Sequence, residues 1–116
     1  MSRRIDKLKA MLTELNLDAL YITHIPNIRY ISGFSGSSAF VIITKEEDYF
    51  FTDFRYKEQS KEQVKGFEMF VNFAPSVKIS EVIKSSGYKN IGFESTHLTV
   101  SQLDTLKQSF PGVNFI

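Results

Sequence analysis

The sequence has no cysteine and only two histidines, His24 and His97, among its 116 residues. A chain without cysteine has no disulfide, no thiolate nucleophile and no cysteine-ligated zinc site. This composition suits the reducing cytoplasm, where we expect the protein to be located. The two histidines are far apart, and neither has a second ligand at helical spacing, so the pattern argues against a metal role for either.

The sequence also lacks an excess of charge and a long apolar run. Fourteen Lys and Arg residues against thirteen Asp and Glu residues leave a formal net charge of +1. No basic block is present that could neutralise several phosphates, which argues against nucleic acid as a partner. No segment approaches the roughly 18 apolar residues that a membrane-spanning helix needs, and the N-terminus leads into a charged helix instead of a signal peptide. We therefore expect a soluble protein with no membrane partner.

Apolar and aromatic residues, in contrast, are plentiful. Hydrophobic residues make up 42% of the chain and aromatic residues 14%, with eleven phenylalanines. This is enough apolar material to offset the entropy of ordering the chain, and no linker or low-complexity segment divides it. At this length we expect one domain that spans residues 1–116.

The order of hydrophobic patterns predicts the fold class. A helical stripe is followed by the apolar strand "DALYIT", and then by a hairpin of "FVIIT" and "YFFTD" around a charged turn. Three alternations complete the chain: a helix over residues 54–65 before "FEMFVNF", a helix over 76–87 before "NIGFE", and a helix capped by Thr99 before "VNFI". This order predicts a three-layer α/β domain with a mixed, mostly parallel sheet and helices on both faces.

Small and polar residues are concentrated in the segment "NIRYISGFSGSSAF", from Asn27 to Phe40. We interpret it as a loop between two strands, in which Gly33 and Gly36 supply positive φ angles. Arg29 and Asn27 are expected to form local hydrogen bonds within this loop. The segment lacks the Lys-Ser/Thr end of a P-loop and the Gly-x-Gly-x-x-Gly spacing of a dinucleotide site, so a tight turn is the better interpretation than an anion site.

Residues for autonomous hydrolysis are sparse. A serine triad could be drawn from Ser35 or Ser37, His24 and Asp53, but these serines lack a Gly-x-Ser-x-Gly context. Asp53 and Glu94 both end predicted strands, where Asp53 is placed to cap the next helix, and two carboxylates do not make a two-metal site. We therefore assign no catalytic residue and no metal-binding residue to this chain.

Two linked motifs, "NIRYISGFSGSSAFVIIT" and "FFTDFRYKEQS", resemble the N-terminal domain of the creatinase, prolidase and aminopeptidase P family, and most closely that of bacterial Xaa-Pro dipeptidases. The resemblance covers essentially the whole chain and implies the fold of that domain, which is ribonuclease H-like. It also implies that peptidase chemistry belongs to a C-terminal pita-bread domain absent from residues 1–116. There, two divalent metals, commonly manganese, activate the water that attacks the bond before proline.

The resemblance implies that the domain contributes to a dimer and to the wall of the substrate entrance. Small residues suit such a wall because they exclude bulk by position, which would favour dipeptides over longer peptides. Arg55 is expected to support the architecture first, by binding a nearby carboxylate or carbonyl, and to face substrate second. The loop residues that match the family segment near the active-site opening are Phe34, Ser35, Gly36, Ser37 and Ser38.

The expected partners are therefore the catalytic domain of the same protein, a second copy of it, and an Xaa-Pro dipeptide or other proline-containing peptide. A stand-alone module of the same fold, which binds a small ligand or another protein through the loop, is the alternative. For a third class, an autonomous hydrolase, we expect no turnover from these residues alone.

Overall fold

The computed structural model describes residues 2–36, 38–45, 47–64, 66–71, 75–93, 99–110 and 112–115. Its helices are α1 (Ser2–Glu14), α2 (Ile25–Ser32), α3 (Lys57–Gln63), α4 (Pro75–Ser86) and α5 (Val100–Ser109). A short 3-10 turn, Phe54–Tyr56, leads directly into α3. The strands are β1 (Ala19–Ile22), β2 (Phe40–Thr44), β3 (Asp48–Thr52), β4 (Glu68–Val71), β5 (Asn90–Phe93) and β6 (Asn114–Phe115).

The strands form one mixed sheet in the order β4-β3-β2-β1-β5-β6. The pairs β1/β2 and β2/β3 are antiparallel, whereas β3/β4, β1/β5 and β5/β6 are parallel. The predicted hairpin is confirmed, and its turn is fixed by Thr44, whose Oγ1 accepts a hydrogen bond from the Glu47 backbone N–H at 2.9 Å. Each parallel neighbour follows a helix, as the alternating sequence pattern predicts.

Alternate strand residues enter two separate cores on the two faces of the sheet. Along β2, Val41 and Ile43 belong to one core and Ile42 to the other, which is the period of two that a strand covered on both sides requires. The first core takes in Leu12 of α1 and two buried residues of α2, and the second takes in three buried residues of α4. Helices therefore cover both faces, which confirms the predicted three-layer α/β fold.

The prediction of a loop from Asn27 onward is wrong for its first part, because residues 25–32 form α2. Pro26 lies in the first turn, where its missing N–H costs no helical hydrogen bond. Ile28 and Ile31 are buried on one side of the helix, at the spacing of an amphipathic helix. Asn27 and Arg29 are consequently helical residues and not loop residues.

Glycine ends α2 in the way that helices commonly end. Gly33 has φ of 81°, and its N–H donates to the carbonyl oxygen of Arg29 at 2.9 Å. The predicted cap of the last helix is also confirmed, because Thr99 Oγ1 accepts from the Gln102 N–H at 3.1 Å and Gln102 Oε1 accepts from the Thr99 N–H at 2.9 Å. The helix predicted over residues 54–65 forms, but it ends at Gln63, before Gly66.

Glu94, His97 and Ser37 lie outside the described residues. Among the helices of the part that is described, none is long and apolar enough to cross a membrane.

Candidate functional site

The loop that follows α2 is the segment to which the sequence analysis assigns a function. We use the name serine loop for residues 33–39, of which all except Ser37 are described. It joins α2 to β2, and it contacts both the "TDFRY" segment and α3. The structure therefore brings together the two sequence motifs that carry the family resemblance.

Phe34 lies beneath the serine loop. Its side chain is fully buried, and its ring packs edge-on against Phe50 and Tyr56 with centroid separations of 5.0 and 5.3 Å. Such edge-to-face pairs add to the stabilisation that burial alone provides. Phe34 thus supports the loop from below, and its ring does not form part of the loop's outer surface.

Gly36 is required for a reason that the sequence did not indicate. Its φ lies outside the left-handed region, so the prediction of positive φ is correct for Gly33 but wrong for Gly36. A Cβ at residue 36 would lie 2.3 Å from Cζ of Phe34 and 2.9 Å from Cδ1 of Tyr56. Glycine therefore allows the backbone to lie directly on the two rings.

Ser35 is exposed and is held by two glutamines of α3. Its backbone N–H donates to Gln63 Oε1 at 2.9 Å, and its Oγ accepts from Gln63 Nε2 at 2.9 Å. The same Oγ accepts from Gln59 Nε2 at 2.8 Å and lies 3.2 Å from Gln63 Oε1, to which its hydroxyl can donate. The amide and the hydroxyl of Ser35 are therefore both engaged inside the chain.

The far end of the serine loop is fixed to β3. The Ser38 carbonyl oxygen accepts a hydrogen bond of 2.7 Å from Oγ1 of Thr52, a residue that is fully buried. A buried hydroxyl needs a partner of this kind, so the bond satisfies Thr52 while it fixes the backbone of Ser38. Ser38 itself is half-buried, so only part of its surface is accessible to solvent.

Asp53 and Arg55 form a compact ion pair at the start of the 3-10 turn. Asp53 caps the turn as predicted, with Oδ1 accepting from the Arg55 backbone N–H at 3.0 Å. The guanidinium of Arg55 donates to the same carboxylate through Nε at 3.1 Å and Nη2 at 2.7 Å, and it lies 5.2 Å from the Tyr56 ring centroid. The carboxylate predicted to bind Arg55 is therefore that of Asp53.

The ion pair sets the protonation of both partners. The side-chain hydrogen bond from Arg55 holds the pKa of Asp53 below its usual value, with the backbone N–H of Arg55 acting in the same direction. The Asp53 carboxylate in turn raises the pKa of Arg55. Both shifts favour the charged forms, so neither pKa is moved toward neutral pH, where a general acid or base works best.

Of the residues considered for a serine triad, Ser37 lies outside the described residues, and the other three, Ser35, His24 and Asp53, do not assemble. His24 precedes α2 and Ser35 follows it, so eight helical residues separate them, a distance of roughly 12 Å along the helix axis. The Ser35 hydroxyl is occupied by Gln59 and Gln63, and the Asp53 carboxylate by Arg55. Ser35 therefore has neither a base nor an oriented partner for nucleophilic attack.

Among the described residues, carboxylates also come together in a pocket lined by Glu47, Asp48, Gly66 and Glu68. Asp48 is paired with Lys9 Nζ at 2.9 Å, and a hydrogen bond to Glu47 raises the pKa of Glu68. Over the residues that the structure describes, no group of three or more His, Asp or Glu side chains is placed to hold a metal ion. These residues do not fit a dinuclear hydrolytic centre.

An apolar pocket of about 310 Å³ lies on the other face of the sheet, at the C-terminal ends of α4 and α5. Its lining includes Ile83, Phe110 and Val113 together with Lys84 and Lys89. Lys84 Nζ lies 6.0 Å from the Phe110 ring centroid, within the range of a cation–π contact. The other polar side chains of its lining are those of Tyr88 and Ser109.

Sequence reasoning missed Gln59, Gln63 and Thr52, which hold the serine loop in place. The two glutamines stand four residues apart and share one side of α3, a spacing that the sequence does display. Their partner Ser35 is 24 and 28 residues away, and no local pattern indicates which polar residue such a pair will meet.

Comparison with known proteins gives one family. The family model described as the creatinase/prolidase N-terminal domain matches residues 4–116. The chain is 37% identical over 97 residues to a Bacillus subtilis protein described as an uncharacterized peptidase, a match that covers 83% of this chain and 28% of the relative.

Solved structures agree with this match. The Xaa-Pro dipeptidase from Bacillus anthracis superposes with a TM-score of 0.89 at 29% identity, over 99% of this chain and 32% of that one. The N-terminal domain of the cytoplasmic peptidase PepQ from Mycobacterium tuberculosis gives a TM-score of 0.88 at 31% identity, over 98% and 91% of the respective chains. The chain spans less than a third of the length of the two Bacillus proteins.

Proposed function

Because this chain belongs to the creatinase/prolidase N-terminal domain family, we propose that it is the noncatalytic N-terminal part of a metal-dependent Xaa-Pro peptidase. In this proposal residues 1–116 form one domain, and the serine loop forms part of the wall of the substrate entrance. The parent enzyme hydrolyses the peptide bond before proline in the cytoplasm.

The observation that carries the proposal is the family match over nearly the whole chain, combined with the small fraction of the relatives' length that the chain covers. The described residues do not supply a ligand set for hydrolytic metals. We therefore place two divalent metals, by the family resemblance manganese, in a C-terminal catalytic domain of the parent protein. The reaction takes place there, and this domain shapes its surroundings.

The geometry of the serine loop supports its role as a wall. Its backbone rests on the rings of Phe34 and Tyr56, and its polar groups are tied to Gln63 and Thr52. A segment held from below and from the side can exclude bulk by its position, while its small side chains take little space. Its expected effect is a preference for short substrates, Xaa-Pro dipeptides above all. The same domain is proposed to contribute to a homodimer of the parent.

A bulky residue in the serine loop tests this function in the full-length parent enzyme. Ser37→Trp should raise KM for an Xaa-Pro dipeptide about tenfold, while kcat and metal content stay within about twofold, because the entrance narrows and the reaction centre is untouched. Ser101→Trp is the matched control, since Ser101 is exposed on α5, on the other face of the sheet. Equal KM values for the parent, the Ser37 variant and the control would remove the loop from the entrance.

The alternative, a stand-alone binding module, is separated by an assay of residues 1–116 alone. We expect no hydrolysis of an Xaa-Pro dipeptide by this fragment with or without Mn²⁺. Hydrolysis by the longer parent reading frame, abolished when its metals are removed, would favour the peptidase. A reading frame without a metal-ligand set downstream would favour the module.

A further inference from the structure

We infer that Gln59 and Gln63 are positioning residues, which hold Ser35 so that the serine loop keeps one position at the substrate entrance. The inference rests on the proposed function, and it identifies the residues that set how strictly the entrance selects short peptides. Neither glutamine is expected to contact substrate.

The contacts of the two glutamines converge on a single loop residue. Gln63 uses both ends of its amide, since Oε1 accepts from the Ser35 N–H at 2.9 Å and Nε2 donates to Ser35 Oγ at 2.9 Å. Gln59 Nε2 donates to the same Oγ at 2.8 Å and lies 3.3 Å from Gln63 Oε1. The three side chains form one closed set of hydrogen bonds, in which each glutamine also orients the other.

This set of bonds leaves Ser35 without a free donor. Its N–H is committed to Gln63 Oε1, and its hydroxyl is surrounded by the amides of both glutamines. Ser35 can therefore act on a substrate through its position and not by donating a hydrogen bond. A residue that acts by position depends on whatever holds it, which here is the short helix α3.

The apolar contacts of the loop do not replace these bonds. Phe34 and Gly36 are fixed by ring packing, whereas the exposed Ser35 between them is held by hydrogen bonds to Gln59 and Gln63. Removing the glutamine amides should leave the core intact and allow the backbone at Ser35 to move. A substrate that needs the closed arrangement then binds with an apparent affinity reduced by the fraction of molecules in that arrangement.

The test uses full-length parent enzyme with Gln63→Met and the double variant Gln59→Met, Gln63→Met. Methionine keeps the length and the helix preference of glutamine but has no donor and only a weak acceptor. Glu62→Met is the matched control, because Glu62 is an exposed neighbour on the same helix. Gln63→Glu retains an acceptor for the Ser35 N–H and should behave between the parent and Gln63→Met.

Three readouts are expected to change together in the methionine variants. Backbone hydrogen exchange in peptides that cover residues 33–36 should become about tenfold faster. KM for an Xaa-Pro dipeptide should rise about three- to tenfold while kcat stays within about twofold. The ratio of kcat/KM for the dipeptide over that for a matching tripeptide should fall, because a mobile wall excludes the longer peptide less.

The outcomes separate this inference from the proposed function. Unchanged exchange at residues 33–36 in the double variant would overturn the inference, whatever the Ser37→Trp result. Faster exchange with an unchanged KM and an unchanged peptide-length ratio would overturn both the positioning role of the glutamines and the role of the serine loop as a wall. In that case Ser37→Trp should also leave KM unchanged. Should the double variant fail to fold, Gln63→Met alone decides, since an exchange rate and a KM identical to those of the parent would exclude the role of Gln63.

Discussion

The two faces of the sheet hold their surface segments in different ways. On the face of α1, α2 and α3, the serine loop is supported by the buried Phe34 and is tied by side-chain hydrogen bonds to α3 and β3. On the face of α4 and α5, α5 contains no buried residue, and Phe110 at its end borders an apolar pocket. Precise placement is therefore concentrated on the face that carries the candidate site, while the other face serves as a looser cover.

The largest effect should come from the aromatic support of the serine loop. Phe34→Ala removes a fully buried ring that packs on Phe50 and Tyr56, and we expect it to lower the free energy of unfolding by about 3–5 kcal/mol. Phe110→Ala on the other face should cost less, because Phe110 borders the apolar pocket and its surroundings can relax. Urea titrations of the two variants measure the free energy of unfolding. Equal losses of this free energy in Phe34→Ala and Phe110→Ala would contradict the proposed difference between the faces.

Adding a single methyl group at Gly36 should have the next largest effect. Gly36→Ala places a Cβ within 2.3 Å of Phe34 and 2.9 Å of Tyr56, so the rings or the backbone must shift, at a cost of about 1–3 kcal/mol. Gly112→Ala is the control, because no described atom beyond its chain neighbours lies within 4 Å of a Cβ there, and its effect should stay within about 0.5 kcal/mol. Thermal unfolding of both variants tests this, and a harmless Gly36→Ala would mean that the loop is not seated on the rings.

Removing a helix cap should lower the free energy of unfolding equally on the two faces, so the two faces are not expected to differ in this respect. Asp53 caps the 3-10 turn and Thr99 caps α5, and each accepts one backbone N–H that would otherwise lack a partner. Replacing either with alanine should lower the free energy of unfolding by about 1 kcal/mol. A Thr99→Ala variant as damaging as Phe34→Ala in the same urea titration would show that α5 is more than a cover.

The smallest expected effect is a dependence on pH. Arg55 lowers the pKa of Asp53 from its usual value of 3.8, so the charged carboxylate is favoured in the folded chain. The resulting stabilisation is present above the unfolded pKa and is lost as the pH falls through the lower folded pKa, that is, below about pH 4. Asp53→Asn should therefore flatten the acid limb of stability against pH.

The control for that experiment removes a negative charge at an exposed position of α3. Glu62→Gln should leave the acid limb of the stability curve as it is in the parent chain. Identical curves for Asp53→Asn and the parent between pH 2 and pH 5 would show that the ion pair does not contribute. Salt should weaken the effect, because Arg55 is largely exposed.

Most of the fold could be predicted from the sequence because its signals are local. Two apolar runs on either side of a charged turn predicted the hairpin of β2 and β3, and Thr99 with Gln102 displayed a complete capping box. Helix α2 was missed because Pro26, Asn27 and the following glycines are typical of loops. The buried residues Ile28 and Ile31, three apart and followed by Gly33, were the helical signal that these residues obscured.

The candidate site was only partly predictable, since its contacts join distant parts of the chain. The assignment of the loop residues and Arg55 to a substrate entrance stays a prediction drawn from their motifs, whereas the capping role of Asp53 followed from its place after a strand and is confirmed. The part played by Gln59 and Gln63 depends on where α3 lies relative to Ser35, which is fixed by the packing of the sheet and not by any short pattern. The contact of the Gly36 backbone with the rings of Phe34 and Tyr56 likewise depends on the packing of distant segments.

The central position of β1 has a consequence for synthesis of the protein. Ala19–Ile22 can pair with β2 as soon as the hairpin has left the ribosome, but its other neighbour, β5, is made roughly 40 residues after the hairpin, about 2–8 s later at ordinary translation rates. During that interval the nascent chain carries an open apolar strand edge, the kind of surface that recruits chaperones or other chains. Premature termination before residue 93 would make that exposure permanent.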